Sequence, residues 1–356
     1  MKVTCRAVSL VGLGMVAVLV SSGCVSQAVG RMIVQAPNQA GRQYAPWNTE
    51  QREELMAKLA SHHLAVPVGP PQAVIDVAVL ETFDYGLTYG FTDTFSGEGE
   101  QRRLKRRFNF NHDFDRRTTT AEPDLAKGTV ILLHGLYSPK ETVLSWGLFL
   151  AEEGYRTVLV DLRGHGQSTG DWITFGAVEV ADLSKVLDTL QRRGWAPEQV
   201  GVLGVSYGGS IALQWAGADP RVGTVVALEP FNDAGKAIRE FATALYPTMA
   251  KRVSPADFAR GMKRSERLAH FTWASVEVAA SVQRAGIPVL LFHGEQDTWI
   301  TPEHSREIIA TASRGSRLGI VPHETHPTLP LRLDLLGPEI LAWFDAHLGG
   351  GGLVGR

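Results

Sequence analysis

The chain has 356 residues, 44% of them hydrophobic and 20% charged, enough for one large domain with a sizeable core and not the composition of a disordered protein. Lys+Arg 35 against Asp+Glu 37 leave a net charge of −2, which gives no basis for nucleic-acid binding. With only Cys5 and Cys24, a disulfide-stapled scaffold is excluded.

The first predicted element is a targeting segment. Lys2 and Arg6 make a basic start, and residues 8–20 are apolar but too short for a comfortable membrane span. Ser21-Ser22-Gly23-Cys24 follows and resembles the bacterial lipoprotein cleavage box, although Ser21 stands where that box usually carries an aliphatic residue. The resemblance implies a signal peptide over 1–23, cut before Cys24, and lipid on Cys24 as the membrane anchor. It also implies a place in the cell envelope, at the outer membrane if there are two, because Val25 and not aspartate comes next. An ordinary signal peptide cut nearby is the alternative.

Residues 24–72 read as a tether with one helix over 50–60, and the His62-His63 pair in it lacks further ligands at metal spacing. From residue 73 strands and turns follow, with a turn at 97–99 and a return strand over 104–110. The basic run 102–107 reads as a charged hairpin edge that resists strand–strand aggregation. From residue 128 short apolar strands alternate with helices, the pattern of a parallel sheet covered on both faces. Strands are expected at 129–133, 156–160, 200–205, 222–228, 289–292 and 317–321, and a closing helix at 337–348. Residues 230–286 hold no clear strand. They read as a helical cap placed beyond the strand carboxyl ends, where open α/β sheets bind ligands. Residues 349–356 read as a flexible tail.

Gly204-Val205-Ser206-Tyr207-Gly208 lies between an apolar strand and a helix. A sharp strand-to-helix turn exposes a serine hydroxyl at its apex, and the glycines relieve crowding there. A hydroxyl nucleophile needs a base, an orienting acid and donors for an oxyanion. Asp297, just past the 289–292 strand, is the candidate acid, with Glu229 as its rival; His326, after the last strand, is the candidate base, with His323 as its rival. The backbone amides of Leu136 and Tyr207 are the candidate oxyanion donors. His134 reads as a turn-shaping residue. Asp161 and His165 read as braces of the Gly-rich loop 161–168, which lacks the phosphate-binding loop pattern.

Together these motifs resemble the α/β-hydrolase superfamily over residues 73–348, in its esterase, lipase and aminopeptidase-like branch. The order Ser…Asp…His is the one that superfamily uses. Serine at the elbow departs from the aspartate of its haloalkane dehalogenases. The resemblance implies a mostly parallel eight-stranded sheet flanked by helices, with the cap inserted before the penultimate strand. It implies a Ser206–His326–Asp297 triad, no cofactor and no metal. The expected activity is hydrolysis of a carboxylic ester or related acyl compound, with a small-molecule acyl substrate and, through the N-terminal lipid, the membrane as partners, and no nucleic acid. Peptidase, amidase, thioesterase or lipase action on the same triad is open, as is a non-catalytic binding module.

Overall fold

A computed structural model describes residues 22–41, 48–96, 103–111, 118–119, 126–196 and 199–348. Residues 1–21 of the expected leader, the expected turn at 97–99, the side chains of Cys24 and of the basic run 102–107, and the expected tail over 349–356 lie outside the described residues.

Helices α1 (Ser22–Val34) and α2 (Thr49–Leu59) come first, then β1 (His62–Val68), β2 (Ala73–Leu80), a two-residue β3 (Phe83–Asp84), the hairpin β4 (Thr88–Ser96) and β5 (Arg103–Asn111), and a two-residue β6 (Thr118–Thr119). From β7 (Thr129–Leu133) the chain alternates through α3 (Leu144–Glu152), β8 (Arg156–Val160), α4 (Glu179–Arg192), β9 (Val200–Val205), α5 (Tyr207–Ala216) and β10 (Val222–Leu228). Helices α6 (Ala234–Leu245), α7 (Pro247–Ala250), α8 (Pro255–Ala269) and α9 (Val278–Ala285) fill the interval before β11 (Val289–Gly294), and α10 (Glu303–Ile309), β12 (Arg317–Val321) and α11 (Leu333–Leu348) close the chain.

Eight strands form one sheet in the order β1-β2-β8-β7-β9-β10-β11-β12, antiparallel at β1/β2 and β2/β8 and parallel elsewhere. Strands β7 and β8 are buried at every position, because helices cover both faces. Successive residues serve opposite layers. Ile131 and Leu133 join Val202, α4 and α5 on one face, while Val130 and Leu132 join Leu203, α3 and α11 on the other. The fold is that of an α/β hydrolase, with the cap before the penultimate strand.

The strand order reverses between β7 and β9: the chain leaves β7 toward β8 and returns on the other side to β9. Loops after these two neighbours therefore diverge and leave a crevice at the carboxyl edge. Leu136 follows β7 and Ser206 follows β9, so both reach this crevice.

Three boundaries differ from those read off the sequence. The sheet begins at His62, not at residue 73. Pro67 disguised β1, but β1 is the edge strand, where a missing N–H is tolerated. The return strand near 104–110 pairs with β4 in a separate hairpin and stays outside the main sheet. Helix α9 packs on α5, so it belongs to the body; the cap proper is α6 to α8 with the short turn Trp273–Ser275.

Residues 22–41 are not a loose tether. Helix α1 packs along cap helix α8, and the chain after it bonds to the body: Ile173 N–H donates to Val34 O at 2.9 Å, Ala36 N–H to Asp171 O at 3.1 Å, and Asn38 N–H to Gly164 O at 3.0 Å. The α1–α8 contact depends on two glycines. A Cβ on Gly30 would stand 2.8 Å from Gly261 O and 2.8 Å from Arg264 Cβ. Small residues give no periodic apolar signal, which is why the sequence concealed this packing.

The start of α5 is anchored from below. Glu179, fully buried, accepts from the Tyr207 hydroxyl at 3.0 Å, Thr174 N at 2.7 Å and Gly176 N at 2.9 Å. Burial, then the Glu179 charge and hydrogen bond, push the Tyr207 phenol well above its ordinary range, so it remains a donor.

Two outcomes follow for stability. Gly30→Ala lowers the melting temperature and speeds proteolysis within residues 22–41, although alanine is the better helix former by about 1 kcal/mol; an unchanged protease pattern would refute the packing argument. Tyr207→Phe leaves Glu179 short of a donor and costs about 1–3 kcal/mol in urea unfolding.

Candidate active site

Ser206 sits between β9 and α5 with φ 51° and ψ −111°, a region that non-glycine residues occupy at a cost of order 1–3 kcal/mol. The turn is so tight that a Cβ on Gly204 would meet Gly208 O at 2.5 Å, and one on Gly208 would meet Leu133 O at 2.5 Å. Only glycine fits these positions, and their close approach holds the half-buried Ser206 at the crevice.

His326 Nε2 lies 2.9 Å from Ser206 Oγ, and His326 Nδ1 lies 2.6 Å from Asp297 Oδ2. A carboxylate only accepts, so Nδ1 carries the proton and Nε2 is free to take the serine proton. The backbone brings these residues together. β11 and β12 are parallel neighbours, and their following loops are stitched by Glu295 N–H to Val321 O and Gln296 N–H to Glu324 O, both 2.9 Å. A Cβ on Gly294 would stand 2.5 Å from Glu324 O, which shows how closely the loops pack. Glu324 is buried and paired with Arg332.

Asp297 is held as a carboxylate. Burial favours its neutral form, but hydrogen bonds from His293 and His326, the His326 charge and the Ile300 amide outweigh this and keep it well below the usual range. Its Oδ1 accepts from Trp299 N at 2.8 Å and Ile300 N at 3.0 Å. His293 is a support the sequence reading passed over. Its Nε2–H donates to Ile300 O at 2.8 Å and faces Asp297 Oδ2 at 3.2 Å, while the Ser305 hydroxyl meets Nδ1 at 2.7 Å. The signal was a histidine four residues before the acid, at the end of a buried strand.

The two rival residues differ in place. His323 is exposed with φ 64°, beside Gln296. Glu229 is fully buried beside the imidazole, 3.5 Å from His326 Nδ1.

The loop after β7 passes beside Ser206: a Cβ on Gly135 would be 3.8 Å from Ser206 Cβ. Among the described residues, the amides of Leu136 and Tyr207 donate to no other group. Tyr207 is also the first residue of α5, where the N–H is unpaired by construction and the helix dipole favours an anion. His134 Nε2 accepts from Leu162 N at 3.0 Å and its Nδ1–H donates to Gly135 O at 2.8 Å, so it braces the turn as a neutral ring. Burial, the largest influence, pushes its pKa down.

Asp161 and His165 are held within the loop after β8. Asp161 accepts from Lys140 N at 2.7 Å, Lys140 Nζ at 2.8 Å and Gln167 N at 2.9 Å. His165 Nδ1 donates to Arg163 O at 2.9 Å, and burial, aided by His134, pushes its pKa down to about 3.

Above the imidazole, three half-buried rings from three segments meet. Phe241 of α6 lies 5.8 Å from Trp299 and 6.3 Å from Tyr137, and Trp299 lies 5.4 Å from His326. The other cap aromatics are mostly structural: Phe231 and Phe271 are buried, and Trp273 packs on Phe175. For metal binding, donor atoms of Glu229, Asp297 and His326 cluster within 4.8 Å. The 2.6 Å Nδ1–Oδ2 contact is a hydrogen bond, so a proton already joins two of the three.

The X-Pro dipeptidyl-peptidase (S15) family model matches residues 42–240, and the prolyl oligopeptidase family model matches residues 143–351. The uncharacterised YqkD protein of Bacillus subtilis is 27% identical over 198 residues, 55% of this chain and 63% of that protein. The uncharacterised YfhR protein of Escherichia coli is 26% identical over 213 residues, 59% of this chain and 66% of that protein. The chain thus spans less than two thirds of the length of these relatives. The Pyrococcus furiosus esterase Pf2001 superposes with a TM-score of 0.55 at 17% identity, covering 86% of this chain and 98% of that one, which speaks to the fold alone. Each family match spans more than half of the chain, and together they take in Ser206, Asp297 and His326: the protein belongs to the α/β-hydrolase superfamily, with the S15 and prolyl oligopeptidase families as its kin.

Proposed function

We propose that the protein is a serine hydrolase that cleaves a carboxylic ester through an acyl-enzyme on Ser206. The supporting observation is the unbroken chain Ser206 Oγ–His326–Asp297, at 2.9 and 2.6 Å. In this reading His326 Nε2 takes the hydroxyl proton as Ser206 attacks the carbonyl carbon. The Leu136 and Tyr207 amides receive the oxyanion. The tetrahedral intermediate then collapses, His326 protonates the leaving alcohol, and water repeats the cycle on the acyl-enzyme. Asp297 fixes the ring tautomer and stabilises the imidazolium.

The half-buried Tyr137, Phe241 and Trp299 rings present apolar surface beside His326, which suits an ester with an apolar or aromatic group on one side. The names of the matching families favour a second reading, cleavage of a peptide or amide. An aminopeptidase needs a carboxylate for the substrate amine. Glu229 is buried, and Glu240 is engaged by Thr301 at 3.0 Å and 3.1 Å. The apolar rings beside His326 favour the ester.

Ser206→Ala should remove at least three orders of magnitude from kcat, about the loss typical of a triad member, with the circular dichroism spectrum unchanged. A folded variant retaining more than roughly a tenth of wild-type activity would move the nucleophile elsewhere. Wild type should bind a fluorophosphonate covalently at Ser206, and an unreactive Ser206 would favour a binding module. A panel of p-nitrophenyl esters beside aminoacyl amides separates the two readings; faster turnover of the amides reverses the preference.

We also propose that the protein is exported and held at a membrane by lipid on Cys24. The support is the leader composition; among the described residues no helix is long and apolar enough to cross a membrane. Cleavage before Cys24 leaves nearly all of α1 in place. Wild type should take up a palmitate analogue and Cys24→Ser should not. No uptake by wild type would support the ordinary signal peptide.

A further inference from the structure

One buried group at the site has no role in the scheme above. Glu229 follows β10 with φ 54°, a conformation unfavourable for its residue type, and its amide is tied to Phe292 O at 2.8 Å. The side chain is fully buried, and among the described residues no side chain donates a hydrogen bond to either carboxyl oxygen; the Gly294 amide is the one backbone donor that bears on it. A buried carboxyl so weakly matched is rare and costly. Its Oε2 lies 3.5 Å from His326 Nδ1, on the side of the ring already taken by Asp297.

Resting on the serine-hydrolase reading, we propose that Glu229 is a positioning residue that forms with Asp297 a two-carboxyl cradle for His326 Nδ1, in which either carboxylate is able to hold the imidazole. Asp297 has first claim, because two backbone amides and His293 support its charge. Glu229 has no comparable set of donors among the described residues. Burial first, then the charge of Asp297, with a smaller push from Glu324, raise its carboxyl well above the usual range, against a pull from the Gly294 amide. Glu324 is itself paired with Arg332, and His326 is the nearby base that faces Glu229. Two carboxylates this close do not both ionise near neutral pH, so the cradle holds one charge. Removing Asp297 removes the main repulsion and opens space at Nδ1. Glu229 then ionises and needs to close less than 1 Å to reach hydrogen-bond distance from Nδ1, about 2.7–2.9 Å.

The experiment compares wild type, Asp297→Ala, Glu229→Gln and a double variant with alanine at both 297 and 229 on one p-nitrophenyl ester across pH, with melting curves for each. Alanine is used at 297 because asparagine would offer a donor and turn the ring to the wrong tautomer. Asp297→Ala should lose about 10- to 100-fold in kcat, with a pH profile that Glu229 shapes; the double variant should fall about 100-fold further and lose the Glu229-dependent part of that profile. Glu229→Gln alone, which keeps the neutral shape, should cost less than about tenfold. Equal rates for Asp297→Ala and the double variant would overturn the proposal, as would a pH profile for Asp297→Ala that does not depend on Glu229. If the Asp297 variants do not fold, the Nδ1–H proton resonance of wild type decides. It should shift as Glu229 ionises, a titration that Glu229→Gln lacks, and the absence of that shift in wild type would overturn the proposal. Failure of the underlying reading looks different: Ser206→Ala would then keep its activity.

Discussion

The close backbone approach at Ser206 is the constraint on which the rest of the site depends. β9 ends, the chain reverses within one residue, and α5 begins against the end of β7. The strained φ of Ser206 is held because Gly204 and Gly208 have no side chains and because Tyr207 is tied to buried Glu179. The same turn leaves the first amide of α5 unpaired and places it beside the loop after β7. The position of the Ser206 hydroxyl and the unpaired amides beside it are therefore consequences of one piece of geometry, and the reversal of strand order between β7 and β9 provides the crevice in which it opens.

Around this turn the protein buries several charges and matches almost all of them. Lys140 joins Asp161 and Asp76 at 2.8 and 2.6 Å, Arg163 clamps Asp182 at 2.7 Å, and Arg156 meets Glu81 at 2.9 Å. Such pairs add little net stability, but breaking one is strongly destabilising, so they specify the loops they join. Lys140 and Asp161 hold the loops after β7 and β8 together, and those loops border the crevice. Against this background the unmatched carboxyl of Glu229 stands out. It lies where a charge would serve the imidazole, beside a carboxylate whose charge is fully supported.

The cap is fastened from two directions. Helix α1 grips α8 through glycines and then continues along the body at residues 34–38. On the other side, Glu240 of α6 accepts from Thr301, four residues beyond Asp297, and faces His304 Nε2 at 3.4 Å. Cap position and acid loop are thus mechanically linked, and the Phe241–Trp299 contact places that link next to the imidazole.

Much of this was legible in the linear chain. Apolar runs and their alternation with helices specify a parallel sheet, since period and burial are local properties. The elbow around Ser206 announces itself because its glycines are a steric necessity, and Asp297 and His326 stand just past strands that end at the same edge. What stayed hidden depends on distant partners. β1 looked like linker because Pro67 is acceptable only at a sheet edge, and edge status is a property of the whole sheet. α1 looked like tether because a glycine contact has no signature without its partner helix. The locations of Glu229 and His293 could not be read either: whether a carboxyl at a strand end faces a ligand, solvent or a buried imidazole depends on which loops pack above it. Local sequence determined the elements and the tight turn at Ser206; the crossing of non-adjacent segments decided which polar groups share the interior, because burial and hydrogen-bond partners exist only once the chain has closed on itself.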